Sequence, residues 1–189
     1  LLALGRPNYG EMDAGAGRRA RSYSDTTRAG WNDLPGTETE VKNIARLFPE
    51  AERRVLLQSE ATEGNVMAED WRKYGYLHFA CHGALEDGPG RQPALVFSLT
   101  GNTPPSDGFL TLSEVVSRPH RARLTVLSAC NTGRSGQTLP KTGVSSLARA
   151  FLLTGSDAVI VSLWSVSDAA TAKLMTLLYQ GMREENLSP

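Results

Sequence analysis

The stretch "YLHFACHG" (residues 76–83) is an almost unbroken apolar run that ends abruptly on a histidine and a glycine. A second apolar run, "RLTVLSACNTG" (123–133), ends in the same way on a cysteine. Continuous apolar runs of this length are typical of strands that are buried on both faces of a parallel sheet. The two runs therefore predict strands that deliver His82 and Cys130 to the carboxyl edge of one sheet.

Apolar runs and amphipathic stretches alternate along the rest of the chain. We predict further extended segments at 1–5, 53–58, 94–99 and 158–164. Apolar residues at helical spacing predict helices over 36–48, 62–74, 112–117, 143–155 and 167–182. Thr37, followed three residues later by Glu40, resembles a capping box. This alternation predicts an α/β protein, a three-layer αβα sandwich with a mostly parallel sheet.

Composition limits the class of protein. The chain has 189 residues, enough for one domain with a core, and Lys+Arg and Asp+Glu balance at 20 each. We therefore expect no direct nucleic-acid binding, and no apolar run approaches the about 20 residues that span a membrane. Two cysteines and no signal-peptide pattern predict a cytoplasmic protein without a disulfide framework. Because the chain begins at Leu1, we expect it to be a piece of a longer protein.

His82 and Cys130 have the chemistry of a nucleophilic dyad. A cysteine attacks a carbonyl as a thiolate, and an imidazole within hydrogen-bond reach can take the thiol proton. The attack creates an oxyanion, for which the backbone N–H groups of Gly83 and Cys130 are candidate donors. The alternative is that the cysteine packs as a small hydrophobe and the histidine is an ordinary buried polar residue.

Three other side chains could compete for a functional role. Cys81 is a second candidate nucleophile, but strand alternation puts it on the face opposite the histidines of "HFACH" (78–82), where packing is the simpler role. The same alternation argues against zinc, so we predict neither a metal nor another cofactor. His120 lies beside a proline in a basic loop and is predicted to be a surface residue.

Four motifs together resemble the CHAT domain family of caspase-like cysteine peptidases. They are "LPGTETEV" (34–41), "LHFACHG" (77–83), "VLSACNTG" (126–133) and "GVSSLARAFLLTGSDAVIVSLWSVSDAATAKLM" (143–175). The resemblance covers nearly the whole chain. It implies a single domain over 1–189, with a fold related to caspases, separases and gingipains. It also implies that His82 is the general base, Cys130 the nucleophile, and the N–H groups of Gly83 and Cys130 the oxyanion hole.

The same resemblance implies a cysteine endopeptidase that acts on protein substrates. Family members usually continue with a further helix and an apolar strand, which we expect this chain to lack. CHAT domains are often fused to helical repeats, which implies a regulatory helical-repeat domain or an activating partner. The alternative is a catalytically silent caspase-like interaction scaffold. An intact dyad favours the peptidase, because a scaffold has no need of a reactive thiol at an exposed strand end.

Three residues are candidates for substrate specificity. Relatives that cut after Arg or Lys carry an aspartate two residues before the nucleophile. That position is Ser128 here, so nothing at this place favours a basic P1 residue. Asp168 is a candidate for the S1 pocket, although capping of the following helix is the simpler role. Trp164 is a candidate wall of the same pocket or a core residue.

Two loops flank the dyad in the sequence. Residues 83–108 and 131–143 contain few apolar residues, so we predict that neither packs firmly against the core. A protease with such loops would be largely inactive until a partner orders them, since activity scales with the population of the competent state.

Overall fold

A five-stranded parallel sheet forms the centre of the protein. The computed structural model describes residues 1–10, 31–84, 92–128, 141–162 and 168–184. The strands of this central sheet are β1 (Leu2–Pro7), β2 (Arg54–Gln58), β3 (Tyr76–Ala80), β7 (Leu124–Leu127) and β8 (Val159–Val161). They lie side by side in the order β2-β1-β3-β7-β8. A second, antiparallel sheet consists of β4 (His82–Ala84), β5 (Ala94–Val96) and β6 (Phe109–Thr111).

Helices cover both faces of the central sheet. They are α1 (Pro35–Ala45), α2 (Glu63–Ala68), α3 (Leu112–Val116), α4 (Lys141–Thr154) and α5 (Asp168–Glu184). Short 3-10 turns lie at Glu50–Glu52 and Trp71–Lys73. No helix among the described residues has the length and apolar character needed to cross a membrane.

The core lies in two layers that side-chain alternation along the strands separates. Leu77 and Phe79 of β3 pack with residues of α2, α3 and α4 on one face. Tyr76 and Ala80 of the same strand pack with α1 and α5 on the other face. The structure therefore confirms the predicted αβα sandwich with a parallel central sheet.

The antiparallel sheet corrects the prediction of a loosely held loop over 83–108. Between residues 92 and 108, five apolar residues are buried, namely Ala94, Leu95, Val96, Phe97 and Leu99. They sit on β5 or directly after it, and β5 pairs with both β4 and β6. The segment 92–108 is therefore packed against the core, while residues 85–91 and the second predicted loop up to residue 140 lie outside the described residues.

The predicted capping box at Thr37 is wrong. Helix α1 begins at Pro35, two residues before Thr37. Leu34 is at its N-cap position, and no side chain caps the helix. The Thr37 hydroxyl instead donates to the Leu34 carbonyl and accepts a bond of 2.8 Å from the Arg6 N–H. Glu40 turns inward and contacts His78 at 2.9 Å. Tertiary partners thus use both polar groups on which the capping prediction depended.

The helix predicted over 62–74 is interrupted. Thr62 caps α2 by accepting a bond from the Asn65 N–H, but the helix ends at Ala68. The Asp70 carboxylate then accepts from the Arg72 N–H and begins the 3-10 turn. Such a side-chain acceptor offers the backbone an alternative to continuing the helix.

His120 is buried, so its prediction as a surface residue is wrong. Its Nε2 lies 2.8 Å from the Ser156 hydroxyl, and its Nδ1 lies 2.9 Å from the Arg118 carbonyl. The ring packs edge-on against Trp71 and Phe151. Burial lowers the pKa of His120, which keeps the ring neutral and suited to an apolar environment.

Glu63 is a buried carboxylate whose titration we expect to affect stability. Its Oε2 accepts bonds of 2.7 and 2.8 Å from the N–H groups of Asp107 and Gly108. Burial raises the pKa of Glu63 from 4.5 to about 7, so the folded protein binds more protons than the unfolded chain between these values. The free energy of unfolding should therefore fall as the pH rises from about 4.5 to about 7.

Urea unfolding of Glu63→Gln at several pH values checks this expectation. The amide oxygen can still accept both N–H groups, but the side chain no longer titrates. The free energy of unfolding of the variant, relative to that of the wild type, should increase as the pH rises from 5 to 8. Glu60→Gln, at a side chain that is 64% exposed, should show no such gain. If the free energies of unfolding of the wild type and Glu63→Gln differ by the same amount at every pH in this range, the prediction is wrong.

Candidate functional site

Adjacent parallel strands lead to the two predicted catalytic positions. β3 and β7 pair directly, and Phe79 of β3 lies opposite Leu127 of β7. His82 and Cys130 each follow three positions after these partners in the sequence. Neighbouring strands lie about 4.8 Å apart, so β3 and β7 end side by side at the carboxyl edge of the sheet. Cys130 itself lies outside the described residues, and its contact with His82 stays a prediction.

The chain changes sheets at this edge. β3 ends at Ala80, and after Cys81 the chain enters β4, which pairs antiparallel with β5. His82 is the first residue of β4 and is paired with Val96. The sequence predicts His82 at the end of a parallel strand, but the residue belongs to a second sheet that starts where the first one stops.

The imidazole of His82 has a defined tautomer. Its Nε2 lies 2.8 Å from the backbone carbonyl oxygen of Asn32. A carbonyl oxygen can only accept a hydrogen bond, so Nε2 carries the proton. In the neutral ring the lone pair is consequently on Nδ1, which makes Nδ1 the atom that can take a proton from a nucleophile.

Two aromatic rings enclose His82. The centroid of the Tyr9 ring lies 4.8 Å from that of the imidazole, and the centroid of the Trp31 ring lies 5.3 Å from it. The Tyr9 hydroxyl also accepts a 3.0 Å bond from the His82 N–H and donates to the Val96 carbonyl. His82 is 0% exposed, so its position at the carboxyl edge of the sheet does not open the ring to solvent.

The Tyr9 hydroxyl also shows in which direction the backbone N–H groups of β4 point. Because the His82 N–H is bridged through Tyr9 to Val96 of β5, it points toward β5. Successive N–H groups of a strand point in opposite directions, so the N–H of Gly83 points away from β5. Gly83 is half-buried, whereas His82 and Ala84 are buried. A donor at Gly83 therefore faces the more open side of the strand.

The predicted specificity residues are only partly described. Ser128 directly follows β7, and its N–H donates to the Phe79 carbonyl at 3.0 Å. Its hydroxyl is buried and has no hydrogen-bond partner in the part of the chain that the structure describes. Asp168 is the first residue of α5, which fits a position at a helix start, but its side chain is not described. Trp164 lies outside the described residues.

Cys81 and the histidines occupy separate environments. Cys81 is buried in the core layer that also contains Leu77 and Phe79, in agreement with its predicted packing role. His78 lies between α1 and α5, where it contacts Glu40 at 2.9 Å and Tyr179 at 3.3 Å. Across the described ranges, no three His, Cys, Asp or Glu side chains are grouped closely enough to hold a metal ion.

Sequence reasoning missed the residues that hold His82. Tyr9, Trp31 and Asn32 lie between the extended segment predicted at 1–5 and the helix predicted over 36–48. Tyr9 follows β1 closely, and an aromatic residue just beyond a central strand could have indicated the site edge. The contribution of Asn32 is a backbone carbonyl, for which no side-chain signal exists.

The model of the CHAT domain family matches residues 2–188, essentially the whole chain. No curated protein matches the chain.

Proposed function

This chain belongs to the CHAT domain family, a caspase-like family, and from that membership we propose that it is a cysteine endopeptidase acting on protein substrates. The observation that supports this most is the bond from His82 Nε2 to the Asn32 carbonyl. It holds the ring with the lone pair on Nδ1, at the sheet edge from which β7 leads toward Cys130. A general base needs an unprotonated ring nitrogen, and this tautomer provides one at Nδ1.

In the proposed reaction, His82 Nδ1 takes the proton of the Cys130 thiol. The thiolate attacks the carbonyl carbon of the scissile peptide bond and forms a tetrahedral oxyanion. The C–N bond then breaks as the imidazolium returns its proton to the leaving amine, which leaves a thioester. Nδ1 then takes a proton from a water molecule as that water attacks the thioester carbonyl. The C–S bond breaks as the imidazolium returns the proton to the sulfur, which releases the carboxylic acid product and the Cys130 thiol.

The Asn32 carbonyl supports both protonation states of the ring. Nε2–H donates to it when the imidazole is neutral, and the same bond strengthens when the ring becomes positively charged. The N–H of Gly83, directed away from β5, is the first proposed donor to the oxyanion. The N–H of Cys130 is the second. Both would have to be in place before the attack, because such donors act through pre-organisation.

An activating partner or a flanking helical-repeat domain belongs to the same proposal. His82 is completely buried, and a substrate carbonyl has to reach the ring and the thiol together. Activity should therefore depend on opening the Nδ1 side of the ring, while the Nε2 side keeps its bond to Asn32. Ser128, Trp164 and Asp168 remain the proposed contributors to the S1 pocket.

Thiol labelling tests the proposal without knowledge of the substrate. At pH 7, iodoacetamide should modify Cys130 about 10-fold faster than an ordinary thiol, because an imidazole partner raises the thiolate fraction. Cys81 should react more slowly, since it is buried in the core. Mass-spectrometric mapping measures both rates. A peptide acyloxymethyl ketone should label the wild type and Cys81→Ala but not Cys130→Ala.

The scaffold alternative has a different outcome. If Cys130 reacts like an ordinary thiol, and no peptide electrophile or peptide library distinguishes wild type from Cys130→Ala, the peptidase proposal fails. Faster modification of Cys81 than of Cys130 would reverse the assignment of the nucleophile.

A further inference from the structure

An ion pair anchors the segment that supplies the Asn32 carbonyl. Arg6 Nε donates to Asp33 Oδ1 at 3.0 Å, and Arg6 Nη2 donates to Asp33 Oδ2 at 2.8 Å. Two parallel bonds of this kind constrain the orientation of both side chains, unlike a single contact. Asp33 directly follows Asn32, so the pair restricts the peptide whose oxygen holds His82.

Arg6 is in turn attached firmly to the body of the domain. Its third nitrogen, Nη1, donates to Glu38 of α1 at 2.9 Å, and its backbone N–H donates to the Thr37 hydroxyl at 2.8 Å. Glu38 also accepts bonds from Lys42 and from Gln58 of β2. The guanidinium therefore links the 31–33 segment to α1 and to the central sheet.

The backbone of Arg6 adopts an unfavourable conformation to make these contacts. Its φ is +43°, in the left-handed region, and the register of β1 against β2 shifts at this residue. A residue with a β-carbon in this region costs on the order of 1 kcal/mol and persists only where surrounding contacts hold it. Strain of this kind at the carboxyl edge of the sheet points to a role beyond surface solubility.

We infer that Arg6 and Asp33 are positioning residues that hold the Asn32 carbonyl against His82 and so select the ring tautomer with its lone pair on Nδ1. The inference rests on the proposed function, in which Nδ1 is the general base. Neither side chain needs to touch the substrate. Without the pair, the 31–33 segment would sample other positions, and the ring would also populate the tautomer whose proton blocks Nδ1.

The ion pair keeps its charges around neutral pH. Hydrogen bonds from Arg6 lower the pKa of Asp33, and hydrogen bonds from Lys42 and Arg6 lower the pKa of Glu38 to about 2. Asp33 and Glu38 both raise the pKa of Arg6. The constraint on Asn32 is therefore constant around neutral pH. A change in the His82 tautomer on mutation would consequently show that the position of the Asn32 carbonyl has changed.

Asp33→Asn tests the inference, because it removes one charge with little change in shape. Asp70→Asn is the matched control: Asp70 forms a two-contact pair with Arg72 elsewhere on the surface. Nitrogen-15 NMR of the imidazole rings reads the tautomers directly. The chain has three histidines, so His82→Gln assigns the His82 signals, and those of His78 and His120 are internal references.

In Asp33→Asn the His82 signals should shift from the Nε2–H tautomer toward a mixture, with both other rings unchanged. The kcat for a peptide substrate should fall about 10- to 100-fold while KM changes little, since only the alignment of the base is lost. Arg6→Lys, which keeps the charge but loses the second contact, should fall between the wild type and Asp33→Asn. Asp70→Asn should match the wild type in both measurements.

Unchanged His82 signals in Asp33→Asn would overturn the inference, whatever the activity. An equal shift in Asp70→Asn would also overturn it, since the effect would then be general. A specific shift of the His82 signals in a protein that hydrolyses no peptide would support the positioning role and reject the proposed function.

Discussion

Replacing His82 with glutamine is expected to lower kcat/KM for peptide hydrolysis about 1,000-fold. The glutamine amide can still donate to the Asn32 carbonyl and fill much of the space between Tyr9 and Trp31. It cannot accept the thiol proton at neutral pH, so Cys130 loses its base. The alkylation rate of Cys130 should then follow an ordinary thiol pKa of about 8.5.

Two measurements separate loss of the base from loss of the fold. Thermal unfolding of His82→Gln should remain cooperative, and peptide hydrolysis should recover in part at high pH, where the thiol ionises without help. A variant that retains more than about a tenth of the wild-type kcat/KM near pH 7 would exclude His82 as the general base.

Replacing Gly155 with alanine is expected to lower the free energy of unfolding by about 3–5 kcal/mol. Gly155 follows the end of α4 with a φ of +125°, a conformation that L-residues with side chains rarely adopt. A β-carbon there would lie 1.9 Å from the backbone oxygen of His120. Because that oxygen belongs to the main chain, the clash cannot be relieved by rotating a side chain.

The displaced backbone would also disturb a buried polar cluster. Ser156, the next residue, contacts His120 Nε2 at 2.8 Å and the Thr125 hydroxyl at 2.7 Å. A shift of the chain at Gly155 would leave these buried groups without good partners, at an added cost of about 1–3 kcal/mol.

Urea denaturation measures the effect against a matched substitution. Gly75→Ala is the control, because a β-carbon at Gly75 meets nothing within 4 Å. The free energy of unfolding of this control should lie within about 1 kcal/mol of that of the wild type. Similar unfolding midpoints for the two alanine variants would show that the backbone after α4 can move to make room for a β-carbon. This result would contradict the prediction.

The layered architecture could be predicted from local patterns in the amino-acid sequence. The apolar run of β3 alternates between two buried faces, and the strong helical periodicity at 143–155 and 167–182 matches α4 and α5 closely. These features depend on residues close together in the chain, so a local pattern is enough to reveal them. The motifs around His82 and Cys130 likewise indicated the family that the whole chain matches.

The contacts that hold His82 could not be predicted in this way. Its β4 strand is three residues long, too short for a periodic signal, and forms only because β5 and β6 pair beside it. The Asn32 carbonyl lies 50 residues from His82 in sequence, and Arg6 lies 27 residues from Asp33. His120 is buried because Ser156, 36 residues later, satisfies its ring nitrogen. Each of these contacts joins distant segments through polar or backbone groups, which carry no hydrophobic period, so only folding of the whole domain brings them together.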